Sequence, residues 1–250
     1  MGVLNCTPNS FSDGGELSTL EHFKARIKSF GEVEALDVGA ESTAPMNSPI
    51  HWEEEWERLK MFLSELRYFP GVISIDTYHP ETIQKFMQFY HDKGFQQELF
   101  WNDVSGKFDD LVHDFLKSSE KFSYVLCHNL VPTRALTGRH IDYVNKDLSI
   151  ESLANFFLPH KHPRVIFDPC LGFSKTYEQN WMILERFQEL QKIVGHPRWL
   201  LGFSRKSFLR KRFGLELSER DKLDEVHVNV LRSLKLSGEV WLRTHRPELV

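Results

Sequence analysis

Eight short, mostly apolar segments recur along this chain, at 1–4, 34–38, 72–76, 98–102, 123–128, 164–168, 199–202 and 240–244. A stretch with helical periodicity separates almost every neighbouring pair. These stretches run over 17–30, 51–68, 80–91, 108–117, 150–158, 176–194, and 207–213 together with 222–236. In 51–68, for example, Trp52, Trp56, Leu59, Phe62 and Leu63 fall on one side. Strand segments that alternate with helices must lie parallel, because each helix carries the chain back to its starting edge. Eight such units close into a (β/α)8 TIM barrel. A chain of 250 residues suits a single domain over 1–250. Only five residues follow His245, so the final helix is expected to be truncated or absent.

Composition narrows the partners. A net charge of -4 argues against nucleic acid. No apolar run reaches bilayer length, so no membrane span is expected. The three cysteines, Cys6, Cys127 and Cys170, are odd in number and lack metal-ligand spacing. They read as small buried thiols of a reduced, cytoplasmic protein. The basic run over 205–212 reads as a solvated helix face, apart from Lys206.

The chemistry sits where the strands end. The first ends at Asn5, and the second leads through Asp37 into Glu41-Ser42-Thr43-Ala44-Pro45. The third and fourth end in Asp76-Thr77 and Asn102-Asp103, the fifth in His128-Asn129. The sixth gives Asp168 and a turn up to Lys175, the seventh Ser204-Arg205-Lys206-Ser207, and the eighth Arg243-Thr244-His245. One aspartate after a strand is an ordinary helix cap. A polar residue at every strand end predicts a cleft on the catalytic face of the barrel. Asp76, Asn102 and Asp168 offer acceptors and donors for a flat heterocycle with amino and lactam edges, and Lys206 can cap its ring or carbonyl. Asn5, Arg243 and His245 come from the first and last strands, which are neighbours in a closed barrel. They form a polar, partly cationic corner suited to phosphate oxygens, and the Asn5 amide oxygen can ligate Mg²⁺. Ser207 opens a helix, where its amide and hydroxyl can hold a carboxylate.

These residues resemble the dihydropteroate synthase family. The opening stretch Asn5-Cys6-Thr7-Pro8-Asn9-Ser10-Phe11-Ser12-Asp13-Gly14-Gly15 is similar to its first signature, and Asp37 to Pro45 resembles its second. Ser74-Ile75-Asp76-Thr77, Asn102-Asp103-Val104-Ser105-Gly106, Asp168-Pro169, Gly172-Phe173, Lys175, Ser204-Arg205-Lys206-Ser207 and a closing Arg243-x-His245 resemble the later motifs in order. The resemblance implies a transferase of folate biosynthesis. Its substrates would be 6-hydroxymethyl-7,8-dihydropterin diphosphate and p-aminobenzoate, with Mg²⁺ as cofactor. By matching position it implies that Asp76, Asn102, Asp168 and Lys206 hold the pterin, with Asp76, Asp168 and Lys206 serving the chemistry. Asn5, Arg243 and His245 would hold diphosphate, with Asn5 on the metal. Phe11, Thr43, Pro45 and Ser207 would form the p-aminobenzoate site.

The chain departs from the family where Asn9 and Ala44 replace a usual Asp and Arg, and where Cys170 and Ser174 replace glycines. These departures raise a pterin-binding paralogue with weak or no turnover as an alternative. A pterin-dependent methyltransferase is a second alternative, disfavoured by the first signature and by Ser204 to Ser207. The family's usual dimer uses its last helices, so a monomer or a differently packed homodimer is expected.

Overall fold

The computed structural model describes residues 1–7, 19–41 and 49–250. Eight strands appear in the expected order: β1 (Gly2–Asn5), β2 (Ala35–Gly39), β3 (Val72–Asp76), β4 (Leu99–Asp103), β5 (Phe122–Cys127), β6 (Val165–Asp168), β7 (Arg198–Gly202) and β8 (Glu239–Arg243). Each pairs in parallel with the next. A bridge between Gly2 and Thr244 joins the last edge to the first, with Val3 N donating to Thr244 O at 3.0 Å and Thr244 N to Met1 O at 3.1 Å. The sheet closes on itself, and the molecule is a TIM barrel.

The helices outside are α1 (Leu20–Ser29), α2 (Trp52–Leu66), α3 (Pro80–Asp92), α4 (Asp110–Ser118), α5 (Ile150–Phe157), α6 (Tyr177–Glu185), α7 (Phe187–Val194), α8 (Ser207–Arg212) and α9 (Arg220–Ser233). Where the sequence suggests one helix over 176–194, there are two, broken at Arg186 (φ -109, ψ 20). The break re-aims the second half, so that Phe187 stands edge-on to Trp199 at 5.4 Å. The long connection after β5 holds a 3-10 segment, Arg134–Tyr143. Beyond β8 there is one 3-10 turn, Pro247–Leu249, and no α-helix among the described residues. No described helix is long and apolar enough to cross a membrane.

The pleat sorts the side chains into two cores. Those pointing out of the barrel, such as Trp101, Tyr124, Phe167 and Trp199, pack beneath the helices in one continuous apolar layer. Those pointing in form a smaller plug of Phe100, Val125, Ile166 and Leu200, with Trp241 against it. Above this plug, at the carboxyl ends of the strands, the interior turns polar.

Candidate active site

The strands end one residue later than the sequence suggests at β1, β2 and β4. Asn5, Asp76, Asn102, Asp168 and Arg243 are all strand residues, fixed by the ladder rather than carried on loops. Alternation along the strand then separates each polar pair. Asp76 turns into the barrel, while Thr77 turns out and donates to the buried Glu55 Oε2 at 2.7 Å. Asn102 turns in, while Asp103 turns out and accepts from Tyr124 OH at 2.9 Å and from Arg134. His128 also points outward, edge-on to Phe156 at 4.8 Å. Arg205 pairs with Asp224 at 2.8 Å, away from the mouth. The expectation that all strand-end polar groups converge is thus corrected. Thr77, Asp103, His128 and Arg205 tie the barrel wall to the elements around it instead.

The inward set is centred on Asp37, which is fully buried. Its Oδ1 accepts from Ser74 Oγ at 2.5 Å and from Asn102 Nδ2 at 3.1 Å. Its Oδ2 accepts from Arg243 Nε at 2.5 Å, and Arg243 Nη2 donates to Asp76 Oδ2 at 2.6 Å. Burial opposes the charge on Arg243, but the two carboxylates outweigh it and hold the guanidinium firmly protonated. The sequence places Asp37 at a strand end without giving it a role. An aspartate inside the apolar run Ala35-Leu36-Asp37-Val38-Gly39, at an inward position, is the signal that could have found it.

Asp76 and Asp168 carry the strain of this arrangement. Burial pushes Asp76 up to about 7, against the pull of Arg243, and the charge on Asp37 adds to the rise. Burial pushes Asp168 up to about 6, against a hydrogen bond from Cys170 N at 2.7 Å and the charge of Lys175. Asn102 Oδ1 is buried and has no hydrogen-bond partner among the described residues. A buried acceptor without a donor costs about 1–3 kcal/mol, which a ligand N–H would recover.

The turn after β6 shapes the rim. Lys175 Nζ donates to His128 O at 2.9 Å, Phe173 O at 3.0 Å and Cys170 O at 3.2 Å, and burial lowers its pKa to about 8. Lys206 Nζ lies 4.4 Å from the centre of the Phe173 ring. Burial pulls the Lys206 pKa down, against the charges of Asp168 and Asp76. Gly172, at φ +87, leaves room for that side chain, since a Cβ there would stand 3.1 Å from Lys206 Cδ.

The anion corner is assembled differently from the sequence reading. Asn5 ends β1, half-buried beside Gly39 of β2. Arg243 turns inward to Asp37 and Asp76. The Nδ1 of buried His245 lies 3.0 Å from Ser204 Oγ, and burial followed by Arg205 and Arg243 drives its pKa far down, so it is neutral. Ser207 is exposed at the start of α8. Phe11, Thr43 and Pro45 lie outside the described residues, as do Asn9 and Ala44. The neighbouring Glu41 is described, and its Oε1 accepts from Tyr78 OH at 2.6 Å and Ile50 N at 3.2 Å.

A mouth with one buried and one half-buried carboxylate, an orphan amide oxygen and a lysine can take a flat, nitrogen-rich ring by its donor edge. Comparison with known proteins agrees. The family model described as pterin binding enzyme matches residues 1–245. A dihydropteroate synthase of Clostridium beijerinckii is 32% identical over 231 residues, covering 88% of this chain and 79% of its own. A folate synthesis bifunctional protein of Arabidopsis thaliana is 32% identical, and the match covers 88% of this chain and 49% of that one. Among solved structures, dihydropteroate synthase of Thermus thermophilus in complex with 4-aminobenzoate superposes with a TM-score of 0.73 at 25% identity, covering 100% of this chain and 89% of that one. The enzyme of Anaplasma phagocytophilum with bound 6-hydroxymethylpterin-monophosphate gives 0.72 at 29%, covering 99% and 93%. On its motifs, its barrel and these likenesses, the chain belongs to the family of pterin-binding enzymes.

Proposed function

We propose that the protein is a dihydropteroate synthase, a transferase of folate biosynthesis. It joins 6-hydroxymethyl-7,8-dihydropterin diphosphate to p-aminobenzoate, giving 7,8-dihydropteroate and pyrophosphate. The observation that carries this reading is the set of acceptors at the mouth: half-buried Asp76, buried Asp168 and the orphan Asn102 Oδ1. They match the amino and lactam N–H groups of a pterin, and Lys206 stands at the rim to cap the ring. As pyrophosphate departs, positive charge develops on the pterin, and two carboxylates held in a water-poor site stabilise it. The aniline nitrogen of p-aminobenzoate then attacks the methylene carbon, and no side-chain nucleophile is needed.

Asn5 and His245 line the side on which the diphosphate would lie, and Arg243 would reach it by exchanging a carboxylate for phosphate. Asn5 offers a hard amide oxygen, and Mg²⁺ bound there would neutralise charge on the leaving group. Such an ion takes few protein oxygens and completes its shell with phosphate and water, which suits a single amide ligand. Phe11, Thr43, Pro45 and Ser207 would receive p-aminobenzoate. The substitutions at Asn9 and Ala44 favour normal pterin binding with slowed turnover. The protein would work in the cytoplasm, as a monomer or a homodimer. The test is direct: pure protein, dihydropterin diphosphate, p-aminobenzoate and Mg²⁺ should yield dihydropteroate, and its absence alongside intact pterin binding would leave the non-catalytic paralogue.

A further inference from the structure

Two cysteines flank Asp168 in the floor of the pterin pocket. Cys127 ends β5 and stands opposite Asp168 in the strand register. Its Sγ lies 3.7 Å from Asp168 Oδ2. Cys170 comes two residues after Asp168, with φ +55, and its backbone N–H donates to Asp168 Oδ1 at 2.7 Å. That turn folds the second thiol back over the carboxylate. One ligand atom from each of the three side chains lies within 4.8 Å of the others, and all three residues are buried. Among the described residues this is the only such group of three.

We propose that Cys127, Asp168 and Cys170 form a site for a soft divalent cation of the zinc or cadmium class, and that its occupancy excludes pterin. Two sulfurs and one oxygen are a donor set that selects thiophilic ions over Mg²⁺. In a tetrahedral site, ligand atoms bonded at about 2.0–2.3 Å stand roughly 3.5–3.8 Å apart, so the three groups need to close by at most about an ångström. Three protein ligands leave a fourth position open. The charges also fit. A dication with two thiolates and a carboxylate carries one net negative charge. Lys206 and Lys175 flank the site, and Lys175 already donates to the carbonyl of Cys170 at 3.2 Å. Binding moves the two thiol protons to solvent and consumes Asp168 Oδ2. The exclusion of pterin rests on the role proposed above for Asp168, whereas the cation site does not.

The test titrates Cd²⁺ into the whole reduced protein, without thiol reagents, and reads thiolate-to-cadmium charge-transfer absorption in the ultraviolet. One equivalent should bind. Cys170→Gly suits the positive φ and keeps the turn, with the fold checked by circular dichroism. It should weaken cadmium binding at least a hundredfold, as should Cys127→Ser. Cys6→Ser, in the layer outside the barrel, should leave binding unchanged. No charge-transfer band in the parent, or an equal band in Cys170→Gly, would overturn the site. In a second arm 6-hydroxymethylpterin is titrated with and without Cd²⁺. Its affinity should fall at least tenfold with the cation in the parent and stay unchanged in Cys170→Gly. Cadmium and pterin bound together at full affinity would overturn the exclusion. A cadmium band in a protein that never binds pterin would uphold the cation site and break the functional reading alone.

Discussion

At the floor of the barrel Arg198 meets Glu239; at the mouth Arg243, on the same strand as Glu239, meets Asp37 and Asp76. The side-chain pair at the floor is one cation against one anion. Arg198 Nε lies 3.0 and 3.1 Å from the two Glu239 oxygens, its Nη1 donates to Ser123 Oγ at 2.9 Å, and Trp241 Nε1 donates to Glu239 at 2.5 Å. Glu239 is 44% exposed, so water shares the pair. The mouth sets Asp37, Asp76 and Asp168 against Arg243 and Lys206. There Asp37 is sealed from solvent, two carboxyl pKa values are pushed upward, and an amide oxygen stays unpaired among the described residues. The floor satisfies the groups it presents, as a structural plug should. The mouth keeps groups waiting, which is what a binding site requires and what lowers its own stability.

Removing each arginine should separate the two ends most sharply. Arg243→Met strands Asp37 without a counter-ion in a sealed position, and should cost about 3–5 kcal/mol of stability in urea denaturation. Adding Asp37→Asn to that variant should restore part of the loss. A loss under about 1 kcal/mol for Arg243→Met would mean that the mouth is no more strained than the floor.

Next in size is the ligand side of the contrast. Asp168→Ala should weaken pterin binding by about 1–3 kcal/mol or more, roughly fivefold to 150-fold, because ring donors are left unpaired in a buried site. Calorimetry showing unchanged pterin affinity would remove Asp168 from the binding groups.

A third effect has opposite signs for stability and for binding. The folded-state pKa values of Asp76 and Asp168, about 7 and about 6, lie above ordinary carboxyl values. Their contribution to stability is fully present below about pH 4 and is lost as pH rises through 6 and then 7. Pterin needs them ionised, so its affinity should rise over the same window, by at most about tenfold per pH unit for each proton released. Asp76→Asn should flatten the upper part of both curves. Pterin affinity that is level between about pH 5 and 8 would contradict the raised values.

The same contrast explains what can be read from the sequence. The barrel is legible because apolar strands and amphipathic helices alternate without interruption, and Asp76, Asn102 and Asp168 are legible because strand ends gather at one face. Thr77, Asp103 and His128 are misplaced by a sequence reading because strand boundaries and the pleat, a matter of one residue, decide which of two adjacent polar groups faces inward. The ion pair of Arg243 with Asp37 is not legible, because no local pattern records that Asp37, distant in sequence, lies only one strand away once β8 closes onto β1. The two thiols beside Asp168 look like isolated cysteines in sequence, since β5 and β6 bring them together only in the sheet.

The smallest expected effect lies at the floor and is the sharpest check on the contrast. Arg198→Met removes a cation whose partner is nearly half exposed. Glu239 would then regain hydration, keep its hydrogen bond from Trp241, and leave no sealed charge behind. The methionine still covers the ring of Phe100, which the guanidinium now faces at 5.6 Å. A solvent-shared pair of this kind contributes about 0–1 kcal/mol and the hydrogen bond to buried Ser123 about 1 kcal/mol, so urea stability should fall by no more than about 2 kcal/mol. Pterin affinity should not change, because the apolar plug of Phe100, Val125, Ile166 and Leu200 separates this end from the mouth. A loss near that of Arg243→Met would show that the floor is strained as well. A change in pterin affinity at unchanged stability would show that the plug transmits charge between the two ends, and the division of the interior into a structural floor and a binding mouth would fall.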